Sequence, residues 1–393
     1  MKESYLNFCY YVIMNLSNRK GLRTWIEIDK KALKNNYNIF RKLISKSTLL
    51  MSVVKSNAYG HGLVDFSKEA QKLGVDWFGV DSIVEAVTLR NFGIKKPILV
   101  LGYTLRSRLG DAIKNNISIT IADLSSLREL KKIHGLKNKP KIHIKIDTGM
   151  HRQGFLFSEI PSVIKILKSI RGVELEGVYT HFSSAKDPSQ MKETIRQSEE
   201  FKKVAGLFEE KGFGGFIKHI SASGGSIILK GNHFDMVRIG IGLYGLWPSL
   251  EIKNAFKNKI GLEPVLSWRT IVSQIKKLPK GSGIGYDLTE KLKKDSIVAI
   301  LPIGYWHGFP CSLSSVGNVL VRGKKTKVLG RVSMDMVCVD VTGINAVKVG
   351  DEVVLIGKSG GSEISVNDTA YLDETTGYEI VTRLNPLIRR ILV

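Results

Sequence analysis

Cysteine is scarce in this 393-residue chain, with three in all. Cys9, Cys311 and Cys338 lie far apart and in no ligand-like spacing, which argues against a disulfide framework and against a zinc site. A reducing cytoplasm is the expected compartment. Acidic residues are also few, 36 against 59 Lys and Arg. The lysines are scattered, and short groups such as Lys293-Lys294 and Lys324-Lys325 lack interleaved aromatic residues. A solvated basic surface is expected, with no nucleic-acid partner. No window approaches the roughly 18 apolar residues of a membrane span, so no membrane association is expected. The apolar run Tyr10–Met14 is followed by Asn18-Arg19-Lys20 without a small-residue cleavage site, so residues 1–20 read as an N-terminal extension and not a signal peptide.

What the chain does have is length and apolar content, 43%, enough for two cores. Between about residues 47 and 245, short β-branched runs alternate with amphipathic Lys/Glu-rich stretches. The expected strands are Leu49–Val54, Trp77–Val80, Ile98–Leu101, Ser118–Ala122, Ile142–Asp147, Leu175–Thr180, Ile217–Ser221 and Met236–Ile239. Eight strand–helix units predict an α/β fold, a (β/α)8 TIM-type barrel over residues 21–258. From residue 259 to 393 the rhythm changes to strand-like runs at Ser267–Ile275, Ser296–Pro302, Asn318–Arg322, Met336–Val341 and Glu352–Ile356. A C-terminal β-rich domain follows from this.

In such a barrel, working side chains stand at the carboxyl ends of the strands. Lys55 closes the first strand, His181 the sixth, and Arg238 lies in the eighth. The fifth strand alternates strictly, Lys141-Ile-His143-Ile-Lys145-Ile-Asp147. A buried Lys145 would need an anionic partner or conversion to an anionic carbamate to avoid a desolvation cost of several kcal/mol; snorkelling past the strand end is the alternative. Glycine density rises at Ser221-Ala-Ser223-Gly-Gly225 and Arg238-Ile-Gly240-Ile-Gly242, after strands seven and eight, where backbone N–H groups can meet a phosphate.

With these residues assembled, the chain resembles the alanine racemase family from Arg23 to the C-terminus. The specific motif is Val53-Val-Lys55-Ser-Asn-Ala-Tyr59-Gly-His-Gly62. Further matches are Lys145-Ile-Asp-Thr-Gly-Met-His-Arg152, Thr180-His181-Phe182, Asp235-Met-Val-Arg238-Ile-Gly-Ile241, Gly304-Tyr305, Gly330-Arg-Val-Ser-Met334-Asp335 and Gly377-Tyr378-Glu379. The resemblance implies a homodimeric cytoplasmic isomerase that interconverts L- and D-alanine with pyridoxal 5'-phosphate, supplying D-alanine for peptidoglycan. It implies no metal.

The resemblance also implies roles. Lys55 would carry the cofactor and act as one base. Tyr286, from the partner subunit, would be the base on the opposite face. Tyr59, Ser223, Gly240, Ile241 and Tyr378 would surround the phosphate. Arg238 would meet the pyridine nitrogen and, with His181, favour the tyrosine's phenolate. Arg152, held by carbamylated Lys145, and the Met334 N–H would take the substrate carboxylate, while Tyr305 and Tyr378 would narrow the entrance.

The chain departs from the family pattern at Ala222, where Asn is usual, at Ser333, where Cys is usual, at Trp306-His307, where Ala-Asp is typical, and at Lys186, often acidic. These changes imply a bulkier and more cationic entrance. They leave a broad-specificity or serine racemase, or a non-catalytic cofactor-binding relative, as alternatives.

Overall fold

The computed structural model describes residues 19–132 and 139–393, which form two compact units. The expectations for residues 1–18, including the apolar run, lie outside the described residues. One unit comprises residues 31–58 and 63–263. Its eight parallel strands are Leu49–Val53, Trp77–Val80, Ile98–Val100, Ser118–Ile121, Lys141–Lys145, Glu174–Tyr179, Ile217–His219 and Met236–Ile239, the first seven paired each with the next in chain order. The last pairs with the first, Leu49 opposite Met236. The ring closes between strands seven and eight through Asp235 N–H to Lys218 O at 3.0 Å and Arg238 N–H to Ser221 O at 2.9 Å.

The sequence explains why these segments are strands. Every residue of Trp77–Val80 and Ser118–Ile121 is buried, as expected where the barrel interior covers one face and helices the other. The helices show the complementary pattern. Met191–Glu210 buries Thr194, Gln197, Ser198, Phe201, Val204, Ala205 and Phe208, a stripe at helical spacing, and leaves its charges outside.

The second unit comprises the described residues up to Lys30, residues 59–62 and residues 264–393. Its main sheet runs, in spatial order, Gln274–Leu278, Ser296–Leu301, Val337–Asp340, Lys324–Leu329, Asn318–Val321, Glu352–Ser359, Leu266–Ile271, Thr24–Ile28 and Arg389–Leu392. Pairing is antiparallel except between Thr24–Ile28 and Arg389–Leu392. Two differences from the sequence reading stand out. Residues 21–30, assigned there to the barrel, fold with the β-rich unit, where Thr24–Ile28 is an internal strand. The expected single run Ser267–Ile275 is two strands, because Val272 and Ser273 leave the sheet to bond Asp351 O and Ile300 O.

Among the described residues, no helix is long and apolar enough to cross a membrane.

Candidate active site

The first βα loop has an unusual backbone. After the strand Leu49–Val53, Ser56, Asn57, Ala58 and Tyr59 all take left-handed φ values of 51–55°. For non-glycine residues this costs about 1–2 kcal/mol each. Such strain persists only where surrounding bonds impose it. Here the Glu85 carboxylate imposes it. Oε1 accepts the Ser56 N–H at 2.7 Å and the Asn57 N–H at 3.4 Å, while Oε2 accepts the Asp81 and Ser82 N–H groups at 2.9 and 3.3 Å. Asn57 Oδ1 accepts the Leu63 N–H, and the Tyr244 hydroxyl donates to Val53 O at 2.8 Å. Lys55 stands at the head of this braced turn, with Asp81 Oδ1 at 3.9 Å.

Around the barrel mouth the charges are cationic. Arg238 is buried on strand eight, and burial pulls its guanidinium down to about 10. It donates to Thr180 O, Ile220 O, His181 Nδ1 and His219 Nδ1, at 2.8–2.9 Å. All four acceptors are uncharged. Because a guanidinium has no acceptor, both imidazoles must present a bare Nδ1 and carry their proton on Nε2. Burial, followed by Arg238, Lys145, Arg152 and Lys55, holds His181 well below the ordinary histidine range, so it is neutral at pH 7.

Lys145 is buried at the end of strand five and donates to Gln153 Oε1 at 3.1 Å. Its Nζ lies 5.6 Å from the Tyr179 ring centroid, and Arg238 Cζ lies 5.2 Å from the same ring. Burial first, then Arg152, Arg238 and Lys55, push the Lys145 amine down to about 8. The expected anionic partner is not a side chain, since no carboxylate among the described residues lies within ion-pair distance of it. Asp147 instead turns its Oδ1 to the Gly149, Met150 and His151 N–H groups and fixes the loop that carries exposed Arg152.

Strands seven and eight supply the glycine-rich loops. Ser223 Oγ accepts the Gly240 N–H at 3.1 Å and the Gly242 N–H at 3.2 Å, locking the two loops together. A Cβ at Gly242 would stand 2.3 Å from the Phe40 ring, so only glycine permits this approach. Ala222 occupies the N-cap of the helix Ser223–Ile228 and offers no capping oxygen.

The barrel unit therefore brings together Lys55, Lys145, Arg152, His181 and Arg238, with Ser223, Gly240 and Ile241 at the two loops. The β-rich unit holds the rest. Tyr59 and Tyr378 have ring centroids 6.2 Å apart, and burial raises both phenols, Tyr59 to about 12. Tyr286 is 70% exposed on a tight hairpin between Gly283–Ile284 and Glu290–Lys291, beside Asp287, which pairs with Arg331 at 3.2 Å. Tyr305 and Trp306 donate their N–H groups to Ser333 O and Met334 O, and the side chains of Tyr305, Trp306 and Met334 are all exposed. His307, expected at the entrance, is instead buried within this unit, where Nδ1 accepts the Gly304 N–H at 3.2 Å. Lys186 is exposed on the barrel unit.

Several site residues were not singled out by sequence. Glu85 had a visible signal, the Ser82-Ile-Val-Glu85 capping box, but its second use as a brace for the Lys55 turn depends on the neighbouring strand end. Gln153 and His219 had no distinguishing signal.

The chain thus combines a closed barrel, which bears a lysine on a braced turn and a buried arginine among other cations, with a separate β-rich unit. The model for the alanine racemase N-terminal domain matches residues 28–248, and that for the C-terminal domain matches residues 265–392. Alanine racemase of Leptospira interrogans is 37% identical over 374 residues, covering 94% of this chain and 96% of that protein. That of Methanococcus maripaludis is 40% identical over 370 residues, covering 93% and 98%. Among solved structures, alanine racemase from Bacillus anthracis with bound L-Ala-P superposes with a TM-score of 0.89 at 34% identity, covering 94% of this chain and 95% of that one. The chain belongs to the alanine racemase family, and its reaction is the interconversion of L- and D-alanine.

Proposed function

We propose that the reaction runs on pyridoxal 5'-phosphate held at Lys55, with Tyr286 of a second copy of the chain as the opposite-face base. The observation that carries this is the donor set at the barrel mouth: Lys55, Lys145, Arg152 and Arg238 converge, and neither buried cation has a carboxylate partner among the described residues. A site with this surplus of positive charge suits an anionic ligand, and a cofactor bearing a phosphate and a phenolic oxygen is one. Ser223, Gly240 and Ile241, with Tyr59 and Tyr378, would hold the phosphate, and Arg238 would face the pyridine nitrogen.

When bound, the cofactor supplies an electron sink that acidifies the substrate's α-proton. The rest belongs to the protein. Arg238 is a fixed cation that discourages a proton on the ring nitrogen and so limits side reactions. Neutral His181, with its proton on Nε2, can donate toward a tyrosine oxygen and favour the phenolate. Lys55 and Tyr286 then remove a proton from one face and return one to the other.

A Lys145 amine near 8 has the neutral fraction that reacts with carbon dioxide. Carbamylation would supply the anion that Lys145 lacks and would orient Arg152 toward the substrate carboxylate beside the Met334 N–H. The exposed apolar side chains Tyr286, Leu288, Tyr305, Trp306, Met334 and Met336, all on the β-rich unit, fit burial against a second copy. Tyr305 and Tyr378 would then narrow the entrance to small side chains. Free Cys311 and Cys338 suit a cytoplasmic setting, where the product D-alanine would feed peptidoglycan.

The test is α-proton exchange in deuterated water, followed by proton NMR, with cofactor-loaded wild type and Tyr286→Phe on L- and D-alanine. Rapid exchange of both enantiomers by wild type is expected, with a loss of about 10²–10⁴-fold in the variant for L-alanine, while D-alanine, whose proton Lys55 would take and return, keeps exchanging. Equal rates of L-alanine exchange in the two proteins would overturn the role of Tyr286.

A further inference from the structure

Arg238 is buried without a carboxylate in contact, yet a line of hydrogen bonds leads from it to one. His219 accepts from Arg238 at Nδ1 (2.9 Å), so its proton is on Nε2, which lies 2.9 Å from His143 Nδ1. His143 must then carry its own proton on Nε2, and that nitrogen lies 3.3 Å from Glu176 Oε2. Every donor in the series points the same way, from guanidinium to carboxylate.

The backbone is shaped for this arrangement. Strands five and six slip register between Ile142–Leu175 and His143–Gly177, which makes Glu176 the extra residue of a β-bulge. Bulges re-aim side chains. The next residue is Gly177, and a Cβ there would stand 2.2 Å from His143 Nδ1, so its absence leaves room for the imidazole. Both rings are fully buried, and Tyr179 stacks on His219 at 4.6 Å with an interplanar angle of 8°. Burial, first among the causes, holds both histidines below their ordinary range, so they are neutral links and not charges. Glu176 is 13% exposed, receives the Ser118 hydroxyl, and has Lys141 Nζ at 3.5 Å. Burial raises its carboxyl, but the bonds from His143 and Ser118 bring it below the ordinary range, so it is ionised.

We propose that Glu176 is a positioning residue which, through His143 and His219, orients Arg238 and supplies its counter-charge across the barrel interior. Aligned hydrogen bonds polarise one another, so negative charge on Glu176 makes His143 Nδ1 and then His219 Nδ1 better acceptors for the next donor. The guanidinium plane is thereby held where a pyridine nitrogen would meet it. The consequence for catalysis rests on the proposed role of Arg238; the relay itself does not.

The apoprotein tests the relay directly. With ¹⁵N-labelled histidine, NMR should find His143 and His219 neutral and protonated on Nε2. Glu176→Gln, which keeps the shape and removes the charge, should move both Nε2–H protons upfield. Lys141→Met, which removes a competing cation from Glu176, should move both downfield, and this variant decides the matter alone if the first does not fold. In cofactor-loaded enzyme Glu176→Gln should lower kcat about tenfold with little change in KM, and that loss should vanish in an Arg238→Met background. A His219 proton unmoved by either substitution would overturn the relay. An equal kcat loss with and without Arg238 would overturn its action through Arg238, and full activity of Arg238→Met alone would overturn the role given to Arg238 while the proton shifts still judge the relay.

Discussion

The Glu85 carboxylate accepts the Ser56 backbone N–H at 2.7 Å, and thereby joins the loop that carries Lys55 to the start of the next barrel helix. The same carboxylate closes the capping box of Ile83–Asn91, so one charge satisfies four backbone donors on two consecutive loops. Without it, the left-handed residues after Lys55 lose the bonds that offset their strain. Glu85→Ala should destabilise the apoprotein by about 2 kcal/mol in urea unfolding and shorten the retention time of pyridoxal phosphate on dialysis. Glu85→Gln, with one acceptor oxygen left, should fall between. Unchanged retention in Glu85→Ala would show that the Lys55 turn holds itself.

The barrel was legible because its signal is local. All eight expected strands occur within two residues of their places, since each is a short buried apolar run between amphipathic helices. Thr24–Ile28 was missed for the opposite reason. Its partners, Leu266–Ile271 and Arg389–Leu392, are more than 200 residues away, and buried Glu27 is stabilised by Arg269 at 2.7 Å, a pairing that no local pattern encodes. The site divides in the same way. Lys55, His181 and Arg238 were visible as polar residues at strand ends, and Lys145 as a charge on an alternating strand. The neighbours that set their chemistry, Glu85, Gln153 and His219, come from adjacent loops and strands and are ordinary in sequence.

Lys145 gives a pH-dependent prediction of known sign. Its amine lies near 8 in the folded chain against an ordinary 10.5, so the folded state disfavours the protonated form. That penalty is fully present below about pH 8 and fades as pH rises toward 10.5. In buffer free of carbon dioxide, Lys145→Met should therefore stabilise the apoprotein at pH 6, by up to about 3 kcal/mol, and by progressively less toward pH 10. With ¹³C-bicarbonate, wild type should give a carbamate resonance that weakens on acidification and is absent from Lys145→Met. Its absence from wild type at pH 8 would rule out carbamylation.

The proposed sharing of Tyr286 is open to complementation. Lys55→Ala and Tyr286→Phe would each be impaired as homodimers. If Tyr286 works in the partner's barrel, random pairing on co-expression should restore about a quarter of the wild-type sites, because each heterodimer then contains one intact pair. If Tyr286 works in its own barrel, every site carries a lesion and nothing is restored. Racemisation of alanine by the mixed population separates the two.

Gly177 tests whether the bulge on strand six is required by the ring beside it. The added Cβ of Gly177→Ala would approach His143 Nδ1 to 2.2 Å and its Cε1 to 2.4 Å, well inside contact distance. The imidazole cannot retreat freely, since His143 is bonded to His219 and Glu176 and its ring lies 5.5 Å from Trp77. Overpacking of this kind costs about 1–3 kcal/mol, to be read from urea unfolding of the apoprotein. The cost should largely disappear in a His143→Ala background, where the space is vacated, although that background is itself less stable. Additive losses in the double variant would mean that Gly177 serves the strand's backbone and not the imidazole, and the bulge would then need another cause.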